Sequence, residues 1–189
     1  NGSSIAAVDA GKCVDTSMGL TPLEGLPMGT RSGSIDPAIV SFIAENEGLT
    51  ATEVVNILNK KSGVLGVTGV SSDFRDIDAA VEAGNERAKI ALKMFSRSIE
   101  KYIGGYACIM GGLDAIVFTA GIGENNDVMR QEICDDIAFL GVKIDPEKNA
   151  HPGKDCIVSA PDSKIKVLVI PTNEELVIAM DTAALVAKN

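Results

Sequence analysis

Ala115-Ile116-Val117-Phe118-Thr119 runs directly into Ala120-Gly121-Ile122-Gly123-Glu124-Asn125, and the reading of this junction decides the fold class. A short apolar run bounded by glycines reads as a buried strand. The residues after it, over about 127–138, have the pattern of a helix. A second apolar-rich run, Ile165 to Ile170, leads through Pro171-Thr172-Asn173-Glu174-Glu175 into a terminal helix over about 174–187. Strand, glycine turn and helix in that order favour an α/β domain. The polar segment 145–163 between the two strands contains three prolines and reads as a surface excursion.

The glycines at 121 and 123 permit a tight turn and close approach of a ligand, and exposed amides at a helix N-terminus attract phosphate. Taken alone, the same pattern is equally ordinary turn chemistry. A dinucleotide fingerprint is not completed, because Asn126 stands where the third glycine belongs. No Gly-Lys-Ser or Gly-Lys-Thr follows, which excludes a P-loop by pattern. A phosphate or nucleoside contact of another fold remains.

On the amino-terminal side, residues 85–110 carry Ala88, Leu92, Phe95, Ile99, Tyr102, Tyr106 and Ile109 at intervals of three and four. That apolar stripe predicts a long helix packed on a core and ended by Gly111-Gly112. Segments 4–9 and 12–16 flank Ala10-Gly11 as a hairpin, and 17–37 is broken by glycines and prolines into a structured loop. Helices are expected over 38–46 and, capped by Thr50 or Thr52, over 53–60, with a short helix or turn beginning near Ser71–Asp76.

The composition, 46% apolar and 23% charged, is that of a folded globular chain. No apolar run approaches the roughly 18 residues a membrane span needs. A formal charge of −9 argues against a nucleic-acid partner, which needs clustered Lys and Arg. Cys13, Cys108, Cys134 and Cys156 include no C-x-x-C pair and read as buried thiols in a reducing compartment. The opening Asn1-Gly2-Ser3-Ser4, without an initiator Met, reads as a piece of a longer chain.

Several residues carry two readings each. The Asn1–Ser4 turn is either a phosphate-holding nest or a plain turn. Arg31, in Met28-Gly29-Thr30-Arg31-Ser32-Gly33, either reaches carboxylate or phosphoryl oxygens or closes a salt bridge. Asp73 and Arg75 divide between helix capping and ligand contact. Glu174 and Glu175 either complement the dipole of the last helix or hold Mg²⁺ for phosphoryl transfer. His151, the sole histidine, reads as exposed, and no zinc spacing is present.

Four stretches, in order and separation, carry a resemblance. They are Asp15-Thr16-Ser17-Met18-Gly19-Leu20-Thr21-Pro22-Leu23-Glu24-Gly25-Leu26 running on through Met28–Gly33 to Asp36-Pro37; Gly69-Val70-Ser71-Ser72-Asp73-Phe74-Arg75; Phe118 to Asn125; and Pro171 to Glu175. Together they resemble the acetate kinase family across essentially the whole chain, which matches only the last half of the family's usual length. The resemblance implies an actin/Hsp70/sugar-kinase-like (ribonuclease H-like) α/β fold, a mixed sheet with flanking helices. It implies Mg²⁺- or Mn²⁺-dependent, reversible formation of acetyl phosphate and ADP from acetate and ATP, with propionate as the alternative substrate. It further implies a cytoplasmic homodimer with no nucleic-acid or membrane partner.

By the same resemblance Asn1 and Gly2 would contact phosphate and Arg31 would engage the acyl substrate and the phosphoryl group. Asp73, Phe74 and Arg75 would line the adenosine pocket, with Gly121, Ile122, Gly123 and Asn125 on its other side, and Glu174 would be associated with Mg²⁺. Residues 1–172 would form most of a nucleotide-binding domain, and 173–189 a helix packing on an amino-terminal domain. The family's amino-terminal metal-site asparagine, second active-site arginine, catalytic aspartate and transition-state histidines have no counterpart in these residues, so the chain alone is expected to bind nucleotide without turnover. Pro27 departs from the signature. No covalent enzyme intermediate is called for.

Overall fold

The computed structural model describes residues 2–153 and 156–187. They fall into two compact units, divided between Leu113 and Asp114.

The first unit opens with the expected hairpin. Strands β1 (Ala6–Asp9) and β2 (Lys12–Thr16) pair antiparallel, with a register shift between Ala7 and Val8. The tight turn needs left-handed backbone at Ala10 and Gly11, φ 47° and 80°. Helices follow as α1 (Ala38–Glu47), α2 (Ala51–Lys60), α3 (Gly63–Thr68), α4 (Phe74–Glu82) and α5 (Glu86–Ile109). Thr50, not Thr52, caps α2: its hydroxyl accepts from the Glu53 amide and the Glu53 carboxylate accepts from the Thr50 amide at 2.8 Å. This reciprocal box satisfies two donors that the helix itself leaves unpaired.

α3 and α4 pack on α5 around Val64, Ile77, Ala88 and Ala91, with Phe74, Val67 and Leu92 against them. The α5 stripe is as expected through Phe95 and Tyr106, but Ala91 and Ile103 join it, and Ile109 is exposed.

The second unit holds β3 (Ala115–Phe118) and β4 (Lys166–Val169), paired in parallel with Ile116 opposite Val167. Between them lie α6 (Ala120–Asn125), α7 (Asp127–Asp136), a single 3₁₀ turn (Ala138–Leu140) and α8 (Pro146–Ala150); α9 (Glu174–Val186) closes the described chain. The core joins Met129, Ile133, Cys134 and Ile137 to Val142, Ile144, Val158, Ile165 and the inward residues of both strands.

Three expectations need correction. The glycine turn 120–125 is itself a short helix, α6, not a bare loop. The polar segment 145–163 is not a surface excursion: Val158, Asn149 and Ser159 are buried, and Ile144 bridges Ser159 while Ile157 bridges Leu168. Periodicity is silent there because single buried residues alternate with turns. Of the cysteines only Cys134 is buried; Cys13 and Cys108 are exposed and Cys156 is half-buried. The expected α/β class stands, its strands forming an antiparallel pair and a parallel pair with helices flanking them. Among the described residues no helix is long and apolar enough to cross a membrane.

Candidate functional site

Arg31 sits in a loop that is fastened from all sides by main-chain bonds. The Met28 amide donates to the Arg31 carbonyl at 2.9 Å, the Val64 and Leu65 amides donate to Met28 and Gly29, and Ser62 donates to Thr30. Carbonyls of α2 complete the fastening: Leu58 accepts from the Ser32 amide at 2.9 Å and Asn59 accepts from the Thr30 hydroxyl at 3.0 Å. Leu26 and Met28 are buried to anchor the segment, and Pro27 is buried between them. The approach depends on Gly63: a β-carbon there, at φ 59°, would lie 2.1 Å from the Met28 carbonyl oxygen and 2.4 Å from that of Arg31. Only glycine permits such contact.

The Arg31 side chain is half-buried, and its Nη1 touches the Met28 sulfur at 3.5 Å. Among the described residues it closes no salt bridge. A β-carbon on Gly2 would stand 3.4 Å from Nη1, so Gly2 and Arg31 lie together. Asn1 lies outside the described residues.

Asp73 caps α4, accepting from the Arg75 amide at 2.9 Å, and its two carboxylate oxygens take Nε and Nη2 of Arg75 at 3.0 and 2.6 Å. These Arg75 side-chain and amide hydrogen bonds hold the Asp73 carboxyl down at about 2. The Arg75 side chain is 88% exposed, so the two planar groups form a prearranged polar face toward solvent. Phe74 lies on the opposite side of the same turn. Its ring meets Phe95 edge-on, centroids 4.8 Å apart, and packs on the core. The capping reading of Asp73 is thus borne out at this turn, where the core ring fixes the segment and the ion pair stays outward.

In the second unit, α6 is held at both ends. Ala120 adopts left-handed backbone at φ 58°, a conformation that costs an L-residue about 1–2 kcal/mol. Its amide donates to Glu124 Oε1 at 2.7 Å, and the same oxygen accepts the Thr172 amide at 2.9 Å. The Ala120 amide, one of the donors the sequence offered to phosphate, is therefore already engaged by a carboxylate. At the other end, Arg130 is 2% exposed. Its Nη1 donates to the Gly123 and Glu124 carbonyls at 2.9 Å, and Nε and Nη2 donate to Asn149 Oδ1 and its carbonyl at 2.7 and 2.6 Å. Burial lowers the Arg130 pKa, opposed by the Asp127 carboxylate, yet an arginine stays charged. The carbonyls that α6 leaves unpaired at its C-terminus are thus satisfied by a buried cation.

Gly123 backs on Phe118, where a β-carbon would come within 3.2 Å of backbone, whereas Gly121 has open space around it. Ile122 is half-buried, and Asn125 is exposed with its amide nitrogen on the Gly121 carbonyl at 2.8 Å. Asn173 caps α9, leaving Glu174 exposed in its first turn. Among the described residues no three His, Cys, Asp or Glu side chains cluster as a metal cage.

Glu124, Arg130, Asn149 and Gly63 were not singled out by sequence. Glu124 follows Ala120 by four residues, a spacing that could have suggested a side chain folding back to cap. Nothing marks Arg130 as buried, since arginine on a short charged helix ordinarily faces water.

A sequence model described as "Acetokinase family" matches residues 1–180. The chain belongs to the acetokinase family. It is 63% identical over 186 residues to the acetate kinase of Carboxydothermus hydrogenoformans, covering 98% of this chain and 46% of that protein. Among solved structures it is similar to Porphyromonas gingivalis acetate kinase, with TM-score 0.92 and 50% identity over 98% of this chain and 47% of that one. It is also similar to a propionate kinase from Francisella tularensis, with TM-score 0.89 and 46% identity over 95% and 46% of the two chains. The chain thus spans about half the length of the acetokinase relatives it matches. These likenesses give it the α/β fold of the actin, Hsp70 and sugar-kinase group, here with helices flanking small sheets.

Proposed function

We propose that this chain is the nucleotide-binding part of a kinase that makes acetyl phosphate and ADP from acetate and ATP, reversibly. The observation that carries the proposal is Arg31: a half-buried guanidinium on an immobilised loop, beside the Gly2 backbone, with no salt bridge among the described residues. An acetate oxygen attacks the γ-phosphorus and the bond to the ADP oxygen breaks. Both partners are anionic, so catalysis needs donors fixed in advance on the oxygens in flight. Arg31 supplies one fork of donors, and Asn1 and Gly2 are the proposed phosphate contacts.

In the first unit Asp73, Phe74 and Arg75 are proposed nucleotide contacts; in the second unit, taken by itself, Gly121, Ile122, Gly123 and Asn125 are proposed nucleotide contacts. Glu174 fits Mg²⁺ or Mn²⁺ as a single carboxylate ligand, because Mg²⁺ keeps most of its waters and takes its other ligands from substrate phosphates. Bound there, the ion would neutralise charge on the phosphate oxygens. The exposed apolar residues of α9, including Ile178 and Leu185, would be covered by an amino-terminal domain of the kind the longer relatives have room for, in a cytoplasmic homodimer. Likeness to a propionate kinase favours propionate as the second reading; one methylene is worth only about 1–3 kcal/mol of discrimination.

The test is a full-length chimera, with the amino-terminal half of the Carboxydothermus acetate kinase joined to this chain. It should form acyl phosphate from ATP with acetate preferred over propionate, and Arg31→Ala should lower kcat by about 10³-fold or more. The chain by itself should bind Mg-ADP and form no acyl phosphate. A folded chimera without turnover, or full turnover after Arg31→Ala, refutes the proposal.

A further inference from the structure

We infer that Glu124 is a positioning residue whose single oxygen ties the Gly121–Asn125 segment to the Pro171–Glu175 segment. The inference rests on the nucleotide and metal assignments proposed above. Oε1 accepts three donors: the Ala120 amide at 2.7 Å, the Thr172 amide at 2.9 Å and the Thr172 hydroxyl at 3.3 Å. The Thr119 and Thr172 hydroxyls lie 2.8 Å apart, which continues the link across the ends of β3 and β4. The last main-chain bond of that strand pair, from the Ile170 amide to the Phe118 carbonyl at 2.9 Å, comes just before it. Beyond this bond the two chains diverge, one into α6 and the other toward Glu174.

Ala120 explains why the link matters. Left-handed backbone at a residue with a β-carbon persists only where surrounding interactions hold it. Arg130 holds the far end of α6, but its contacts are to Gly123, Glu124 and Asn149, and none reaches the 171–175 segment. Without the Glu124 oxygen, Ala120 loses the partner of its amide and Thr172 loses the partner of its own. Glu174, two residues further on, then has no fixed relation to the Gly121 turn. Mg²⁺ and nucleotide affinity would share one determinant that touches neither ligand.

A glutamine keeps an acceptor at the same distance, whereas alanine removes it. The experiment is calorimetric titration of the chain with ADP, in Mg²⁺ and in EDTA, on wild type, Glu124→Ala, Glu124→Gln and Thr172→Val. Amide exchange at residues 120 and 172 is followed in parallel. Glu124→Ala should weaken Mg-ADP binding about tenfold and shrink the gain conferred by Mg²⁺, with faster exchange at both amides. Glu124→Gln should stay within about threefold of wild type, and Thr172→Val should lose about two- to threefold. Should Glu124→Ala fail to fold, the glutamine and valine variants still decide the matter.

Unchanged Mg-ADP affinity in Glu124→Ala, or unchanged exchange at Thr172, overturns the coupling alone. Glutamine as damaging as alanine also overturns it, since that outcome marks a charge in contact with ligand. A wild-type chain that binds no Mg-ADP overturns the nucleotide assignment and the coupling with it.

Discussion

Replacing Gly63 with alanine should damage the Arg31 loop far more than its backbone angle alone would suggest, and Gly48 provides the control. The two glycines lie in the same unit with nearly equal angles, φ 59° at Gly63 and 65° at Gly48. Each therefore incurs the same conformational term on gaining a β-carbon, about 1 kcal/mol. Space separates them. No neighbouring atom lies within 4 Å of a β-carbon at Gly48, while at Gly63 two carbonyl oxygens lie at 2.1 and 2.4 Å. Ordinary contact begins near 3.4 Å, so these oxygens must retreat by about 1.3 and 1.0 Å, and the Met28 carbonyl is held by the Val64 amide at 2.9 Å. Overpacking costs about 1–3 kcal/mol, and a hydrogen bond strained or lost adds about 1 kcal/mol. Gly63→Ala should then cost about 3–5 kcal/mol against about 1 kcal/mol for Gly48→Ala. Urea unfolding of both variants, read at unchanged m, measures the difference. Costs agreeing within about 0.5 kcal/mol would refute the claim that close approach makes glycine necessary at 63.

Three further outcomes follow from the same geometry. Arg75→Ala should raise the Asp73 pKa from about 2 toward the ordinary aspartate value, near 3.9, in a carboxyl-detected NMR titration; because the folded value is depressed, the Asp73 contribution to stability is present above about pH 4 and lost as pH falls toward 2. Arg130→Met should destabilise the second unit by about 2–4 kcal/mol in thermal unfolding, since the acceptors on Gly123, Glu124 and Asn149 lose their donor together; Arg130→Lys should recover only part, because an ammonium cannot reach them in one plane. With a thiol reagent at pH 8, exposed Cys13 and Cys108 should react readily, whereas Cys134, whose pKa burial pushes up to about 12, should react only on unfolding.

The elements legible in the chain were those whose signal is local and periodic. The helix over 86–109 announces itself through apolar spacing, the hairpin through Ala10-Gly11, and α2 through the capping threonines at 50 and 52, between which the structure chose Thr50. The two short strands of the second unit stand out because each is a continuous apolar run. By contrast, segment 145–163 looks dispensable until Ser159 and Val158 are seen bridging and filling the core. Its residues acquire a burial pattern from partners far away in sequence, and no local period records that.

At the candidate site the same division holds residue by residue. Arg31, Asp73, Arg75, Gly121, Asn125 and Glu174 could be named from motif and residue chemistry, and the Asp73 cap could be foreseen from its place before a helix. Sequence alone determined the kind of fold, the family and the segments on which function is proposed to rest, because these depend on side-chain type and short spacing. Only the tertiary structure decided that Gly63 lets the Arg31 loop close, that Arg130 and Asn149 hold α6 from inside, and that Glu124, bonded to the Ala120 amide, also takes the Thr172 amide from 48 residues away. Those are contacts between groups distant in sequence, and their strength depends on burial and on which donors and acceptors remain unpaired once the chain has packed.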